Sequence, residues 1–313
     1  MNVGWDENGP RTCRTRHWAG GLLCLALLLN GCAAVGERRA LPGTGHGTPE
    51  GRLSPGSRYK LLWLRTKDGT HIAAEFCKAL DAKGQPRTDS DRRPVLIFFY
   101  ARAMCLALES TQKLADYFRR MGVNVLIPEY PGYGMSEGRP TEKGCYAAAD
   151  AAYDWAMQRA GSGHDGVIIA GWSLGTGAAV DLASRRSASG LIIIGAFTSI
   201  RDMSRTIIPW PLRWLAGPLT ARCQFDNLAK IPAVTCPVLI VHGTKDTFVP
   251  PEMSDRLATA TTTTVTRLPV AGAQHADIWD VGGETLWQDI DDWVQRSCAP
   301  TPAAPRRDTA LPK

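Results

Sequence analysis

Histidine is scarce in this chain, six in 313 residues, and that shortage limits where an imidazole base can come from. Zinc-site spacing is missing from the nine cysteines, so no metal centre is expected. A basic stripe with interleaved aromatics is missing too. The formal net charge is +6, but part of the excess falls on Arg11, Arg14 and Arg16 near the start and on Arg306 and Arg307 near the end, so nucleic acid is not an expected partner. No apolar run reaches the roughly 20 residues that cross a bilayer; Gly20 to Leu29 falls well short. There is no internal repeat.

What is present reads as one folded domain with two unlike ends. Hydrophobic residues make up 44% and charged residues 21%, an ordinary globular composition. A single domain of about 250 residues, large enough to bury its own core, fits between residues 58 and 298. Before it, Arg11 to His17 forms a positive n-region and Gly20 to Leu29 an apolar h-region, ending in Leu29-Asn30-Gly31-Cys32-Ala33-Ala34. This stretch resembles the lipobox of bacterial lipoproteins. The resemblance implies a signal peptide over residues 1–31 and a mature chain held at the cell envelope by lipid on Cys32. With no Asp after Cys32, the pattern points to the outer membrane if the cell is Gram-negative. Residues 32–57, rich in Gly, Pro, Arg and Thr, read as a flexible stalk, and residues 299–313 as a disordered tail.

Between these ends, strands alternate with helices. Leu61 to Arg65 and His71 to Lys78 read as a hairpin around Asp68-Gly69. Pro94 to Tyr100, Val123 to Pro128, Gly166 to Gly171, Gly190 to Ala196, Pro237 to His242 and Thr263 to Leu268 complete the strands. Helical stretches run over Leu106 to Met121, Thr141 to Arg159, Leu174 to Ser184 and Val281 to Arg296. Repeated strand–helix units predict an α/β domain with a doubly wound, mostly parallel sheet covered by helices. Residues 200–231 break the rhythm and read as a small helical cap over the C-terminal edge of the sheet. Its Trp210 and Trp214, with Ile207, Ile208, Leu212 and Leu215, either wall an apolar substrate pocket or pack the cap onto the core.

Gly171-Trp172-Ser173-Leu174-Gly175 fits a nucleophile elbow, a sharp strand-to-helix turn that leaves Ser173 at its tip. The run before it reads as a strand and the run after it as a helix, which is the context that motif requires. A serine hydroxyl needs a base. His17 and His46 lie before the domain, His71 opens a hairpin strand, His164 sits in a Gly-rich loop, and His242 ends a strand where it packs or bonds locally. His275 remains, in the loop between the last strand and the last helix. Asp246 follows the strand ending at His242 and is the expected orienting acid, with Asp277 and Asp280 as nearby alternatives.

Together with Tyr130-Pro-Gly-Tyr-Gly-Met-Ser-Glu-Gly138, Phe197-Thr-Ser-Ile-Arg-Asp202, Cys236-Pro-Val-Leu-Ile-Val-His-Gly243 and Gln274-His275, these pieces resemble the α/β-hydrolase superfamily, and within it the Bem46-like serine hydrolases. The resemblance spans about Leu61 to Arg296. It implies the α/β-hydrolase fold with eight strands, and Ser173, Asp246 and His275 as nucleophile, acid and base. It further implies esterase or protein depalmitoylase activity, although many members have no assigned substrate. One departure stands out. Where the family usually carries His-Gly-Asn-Ala, this chain has Tyr100-Ala101-Arg102-Ala103. That turn normally supplies one oxyanion-hole N–H, here from Arg102, with Leu174 supplying the other. Ala in place of Gly at position 101 restricts the turn if φ must be positive. The Arg102 cation either selects anionic substrates or pairs at the surface; Tyr100 either donates toward substrate or fills the usual histidine's space, and Trp172 beside the nucleophile is a further pocket residue. Cys105 and Cys145 either form a disulfide that pins this turn or remain two buried thiols.

The expected activity is hydrolysis of a small or lipid-like acyl ester or thioester by a monomer, without cofactor. Two alternatives stay open: a catalytically weak or silent hydrolase fold acting as a membrane-anchored binding protein, and an acyltransferase or peptidase using the same three residues.

Overall fold

The computed structural model describes residues 33–43, 59–102, 104–159 and 166–298. The strands are β1 (Tyr59–Arg65), β2 (His71–Cys77), β3 (Val95–Phe99), β4 (Asn124–Pro128), β5 (Val167–Trp172), β6 (Gly190–Ile194), β7 (Val238–Gly243) and β8 (Val265–Val270). They form one eight-stranded sheet in the order β1-β2-β4-β3-β5-β6-β7-β8. The β1–β2 hairpin is in register from Tyr59 opposite Cys77 to Arg65 opposite His71, and β2 also runs antiparallel to β4. Every other pairing is parallel. Each position of β3, β4 and β6 is buried, which is why those strands, apart from the hydrogen-bonded Asn124 that opens β4, are apolar runs rather than alternating ones.

Helices α2 (Glu109–Arg120), α3 (Glu142–Arg159) and α4 (Gly175–Arg185) make successive crossovers, and α8 (Pro251–Ala260) and α9 (Ile278–Cys298) flank β8 in the sequence. In α9, Trp287 is stacked between Tyr117 and Trp279, at centroid distances of 4.3 and 4.6 Å, and the edge of Trp172 meets Trp279 at 5.6 Å. This aromatic column ties the last helix to the residue that precedes Ser173. The cap between β6 and β7 comprises α5 (Ile200–Ile207), a 3-10 helix (Trp210–Leu215), α6 (Ala216–Thr220), α7 (Asn227–Lys230) and a short 3-10 turn (Ile231–Ala233). Ser199 caps α5 by accepting from the Asp202 N–H at 3.0 Å.

Two readings of the sequence need correction. Residues 33–40, assigned to the stalk, are a helix (α1) that belongs to the folded body. Ala33 and Leu41 are buried, and Arg102 donates from Nη1 to the Arg39 carbonyl at 2.7 Å. Gly36 lies so close to α6 that an added Cβ would sit 1.7 Å from the Leu219 carbonyl oxygen. The helix is only two turns long, and its inner face is made of small residues, so it leaves no apolar period to read. The suggested Cys105–Cys145 disulfide is not formed either: both residues are buried thiols, as are Cys77, Cys223 and Cys236. Burial pushes the Cys145 thiol well up and that of Cys236 up to about 11, which makes both poor nucleophiles. Cys32, the signal segment and the C-terminal tail lie outside the described residues.

Candidate active site

Ser173 sits where β5 turns into α4, with φ of 53°, a value rarely adopted by a residue with a side chain. Two glycines permit that turn. A Cβ on Gly175 would lie 1.9 Å from the Phe99 carbonyl oxygen, and one on Gly171 would lie 2.5 Å from the Gly175 carbonyl oxygen. The elbow is held by the Ser173 N–H donating to the Ile194 carbonyl at 2.9 Å, and by the Thr176 N–H donating back to the Ser173 carbonyl.

The β8–α9 loop brings His275 to this tip. Its Nε2 is 2.8 Å from Ser173 Oγ, and its Nδ1 is 2.7 Å from Asp246 Oδ2. With Nδ1–H donating to the carboxylate, Nε2 is left as the acceptor for the serine proton. Asp246 follows β7 and is buried. Its Oδ1 accepts from the N–H groups of Phe248 and Val249, at 2.9 and 2.8 Å. Burial alone would raise its pKa, but hydrogen bonds from His242, His275 and the Val249 N–H outweigh it and hold the carboxyl well below the usual range.

His242 is the residue sequence reasoning undervalued. Its Nε2 lies 2.9 Å from the Val249 carbonyl and 3.3 Å from Asp246 Oδ2, while its Nδ1 lies 2.5 Å from Ser254 Oγ. The Val249 carbonyl fixes the proton on Nε2, so this second imidazole also presents an N–H to the acid. The only signal in the sequence was its four-residue spacing from Asp246 across a strand end. Asp277 instead accepts from the Gln274 N–H within the loop.

Relatives point the same way as the geometry. The family model for the alpha/beta hydrolase fold matches residues 94–222. Human alpha/beta hydrolase domain-containing protein 17B is 32% identical over 218 residues, 68% of each chain. The chain belongs to the α/β-hydrolase family. The alpha/beta hydrolase domain-containing protein WAV2 of Arabidopsis thaliana is 29% identical over 245 residues, covering 74% of this hydrolase and 76% of WAV2. Among solved structures, an esterase of Pyrococcus furiosus superposes with a TM-score of 0.60 at 15% identity, over 81% of this hydrolase and 96% of that chain, a likeness of fold.

Beside Ser173 the hydrolase opens a cavity of about 360 Å³. Leu174, Phe197, Met203, Ile208, Leu219 and Val249 give it a mostly apolar wall, and Gly36, Arg39 and Ala40 of α1 contribute a side the sequence did not foretell. Arg102 also lines it. Ala101 is not among the described residues with positive φ, so the turn takes a course that needs no glycine there. The Arg102 side chain is exposed and is engaged by the Arg39 carbonyl rather than by a carboxylate.

Four expected pocket residues are not in its wall. Tyr100 is fully buried beneath the site, accepting at Oη from the Tyr130 N–H at 3.3 Å, while its carbonyl accepts from Tyr130 Oη at 2.8 Å. It fills space and cross-links two loops. Trp172 points to the aromatic column instead. Trp210 and Trp214 are 78% and 69% exposed on the outside of the cap. Their apolar character suggested an interior position; the 3-10 helix that carries them has no buried residue and turns both outward.

Proposed function

We propose that this chain is a serine hydrolase of the Bem46-like type that cleaves carboxylic esters or thioesters with a hydrophobic acyl group. One observation carries the reading: the Ser173–His275–Asp246 relay ends on an apolar cavity large enough for an acyl chain. In the proposed reaction, His275 Nε2 takes the Ser173 proton as Oγ attacks the acyl carbon, and the charge forming on the carbonyl oxygen is met by the N–H groups of Leu174 and Arg102. The tetrahedral intermediate collapses with departure of the alcohol or thiol, which receives that proton from imidazolium. Water, deprotonated by His275, then attacks the acyl-enzyme. The acid leaves and the proton returns to Ser173. Asp246 stays ionised throughout and stabilises the imidazolium. A lipid on Cys32 is part of the same proposal; the mass of the mature N-terminal peptide tests it.

The deciding experiment measures hydrolysis of p-nitrophenyl esters from acetate to palmitate by wild type and Ser173→Ala. Turnover lost in the variant, together with fluorophosphonate labelling of Ser173 in wild type, supports the reading. Equal rates in the two proteins and no labelling would favour a binding role.

A further inference from the structure

We propose that the rim of this cavity is a docking face for a lipid bilayer carrying anionic headgroups, so that an acyl substrate enters from the membrane rather than from water. The inference deepens the ester-hydrolase reading and rests on it for the nature of the substrate.

Large apolar side chains that are exposed cluster on this rim. Ile207 and Phe248 line the cavity and are nevertheless 72% and 50% exposed, so they form its lip. Trp210, Leu212 and Trp214 continue outward from Ile207 along the 3-10 helix, and Val35 projects from α1. Isolated exposed apolar residues need no explanation; a contiguous group bearing two tryptophans does. Indole, with an apolar body and one N–H, favours the zone between headgroups and acyl chains.

Charge selects this occupant. From Met203 to Phe225 the cap carries Arg205, Arg213 and Arg222 and no carboxylate. Asp202, 3.5 Å from Arg205, lies just before that stretch, and Arg213, between the two tryptophans, is exposed and forms no salt bridge among the described residues. Arg38 and Arg39 are exposed on α1, with half-buried Glu37 beside them. Arginines interspersed with aromatics fit an anionic lipid surface. The position of α1 agrees: Gly36, Arg39 and Ala40 line the cavity, so the exposed arginines of this helix stand at the same rim.

The test uses the full chain on vesicles of phosphatidylcholine and phosphatidylglycerol whose acyl chains are brominated near the headgroup, with tryptophan quenching as readout. Wild type should show a quenched component that is lost in the double variant Trp210→Phe with Trp214→Phe and reduced by Arg213→Glu. Both variants should keep the wild-type rate on p-nitrophenyl acetate in solution, since none of the three positions lines the cavity. Equal quenching in wild type and the double variant would overturn the docking face. So would a dimer in vesicle-free solution that the double variant abolishes, which would assign the face to a second copy. Quenching needs no turnover, so a silent Ser173 and a failed docking face give different results.

Discussion

At the scale of single residues, the Asp246 carboxylate is the most heavily constrained group in the site. Four donors converge on its two oxygens, and two of them are imidazole N–H groups. A carboxylate whose folded-state pKa is depressed stabilises the fold above the ordinary carboxylate range, and that contribution is lost only as pH falls through the depressed value. His242 therefore acts as a positioning residue for the acid. Replacing it with Leu removes a hydrogen bond to a charged group and is expected to lower kcat roughly tenfold with little change in KM. His242→Gln, which retains a donor, should recover part of the rate. Steady-state kinetics beside thermal melts of both variants check this, and equal losses in the two would point to packing alone. The three hydrogen-bonded residues Ser173, His275 and Asp246 were legible in the sequence because each has a positional signature: a serine between glycines at a strand end, an aspartate just past a strand, a histidine in the last loop. The pocket walls were not, because an apolar side chain in a cap has the same appearance in sequence whether it faces in or out, as Trp210 and Trp214 demonstrate.

At the scale of elements, α1 and β2 each carry a prediction. Gly36→Val would drive a branched side chain into the Leu219 carbonyl, so α1 should leave α6. Faster tryptic cleavage at Arg38 and Arg39 in this variant, with the remaining domain intact, is the expected outcome. In β2, Glu75 is buried against Gln112, which donates to it at 2.6 Å. Burial raises its pKa to about 7, partly countered by the Gln112 hydrogen bond and by Arg119. The folded chain thus keeps a proton that the unfolded chain releases near the ordinary glutamate value. Stability falls as pH rises between those two values, by up to about 3 kcal/mol. Glu75→Gln should flatten that slope, and denaturant midpoints across the same range measure it. All eight strands were readable to within a few residues, since buried parallel strands announce themselves as apolar runs. Helix α1 was not, because its contacts rest on Ala33, Gly36 and a backbone carbonyl rather than on large side chains.

At the scale of the whole molecule, the thiols of Cys77, Cys105, Cys145, Cys223 and Cys236 are spread over the hairpin, the segment before α2, α3, the cap and the approach to β7, each buried where it stands. Alkylation followed by peptide mass mapping is expected to leave all five unmodified in the native protein and modified after denaturation. Recovery of Cys105 joined to Cys145 in the native protein would contradict the structure. The chain's cysteine count could not distinguish these states, because pairing depends on approach and direction, which spacing does not encode.

The two outer strands have a consequence of their own. An open sheet ends in rows of hydrogen-bonding groups that a strand from another molecule can extend. Here β1 presents exposed Lys60 and Arg65 at one margin, and β8 presents exposed Arg267, ion-paired with Asp255, and Pro269, which has no N–H to give, at the other. Neither margin is a clean template, so copies crowded together on a surface are poorly equipped to zip into fibrils through their sheets.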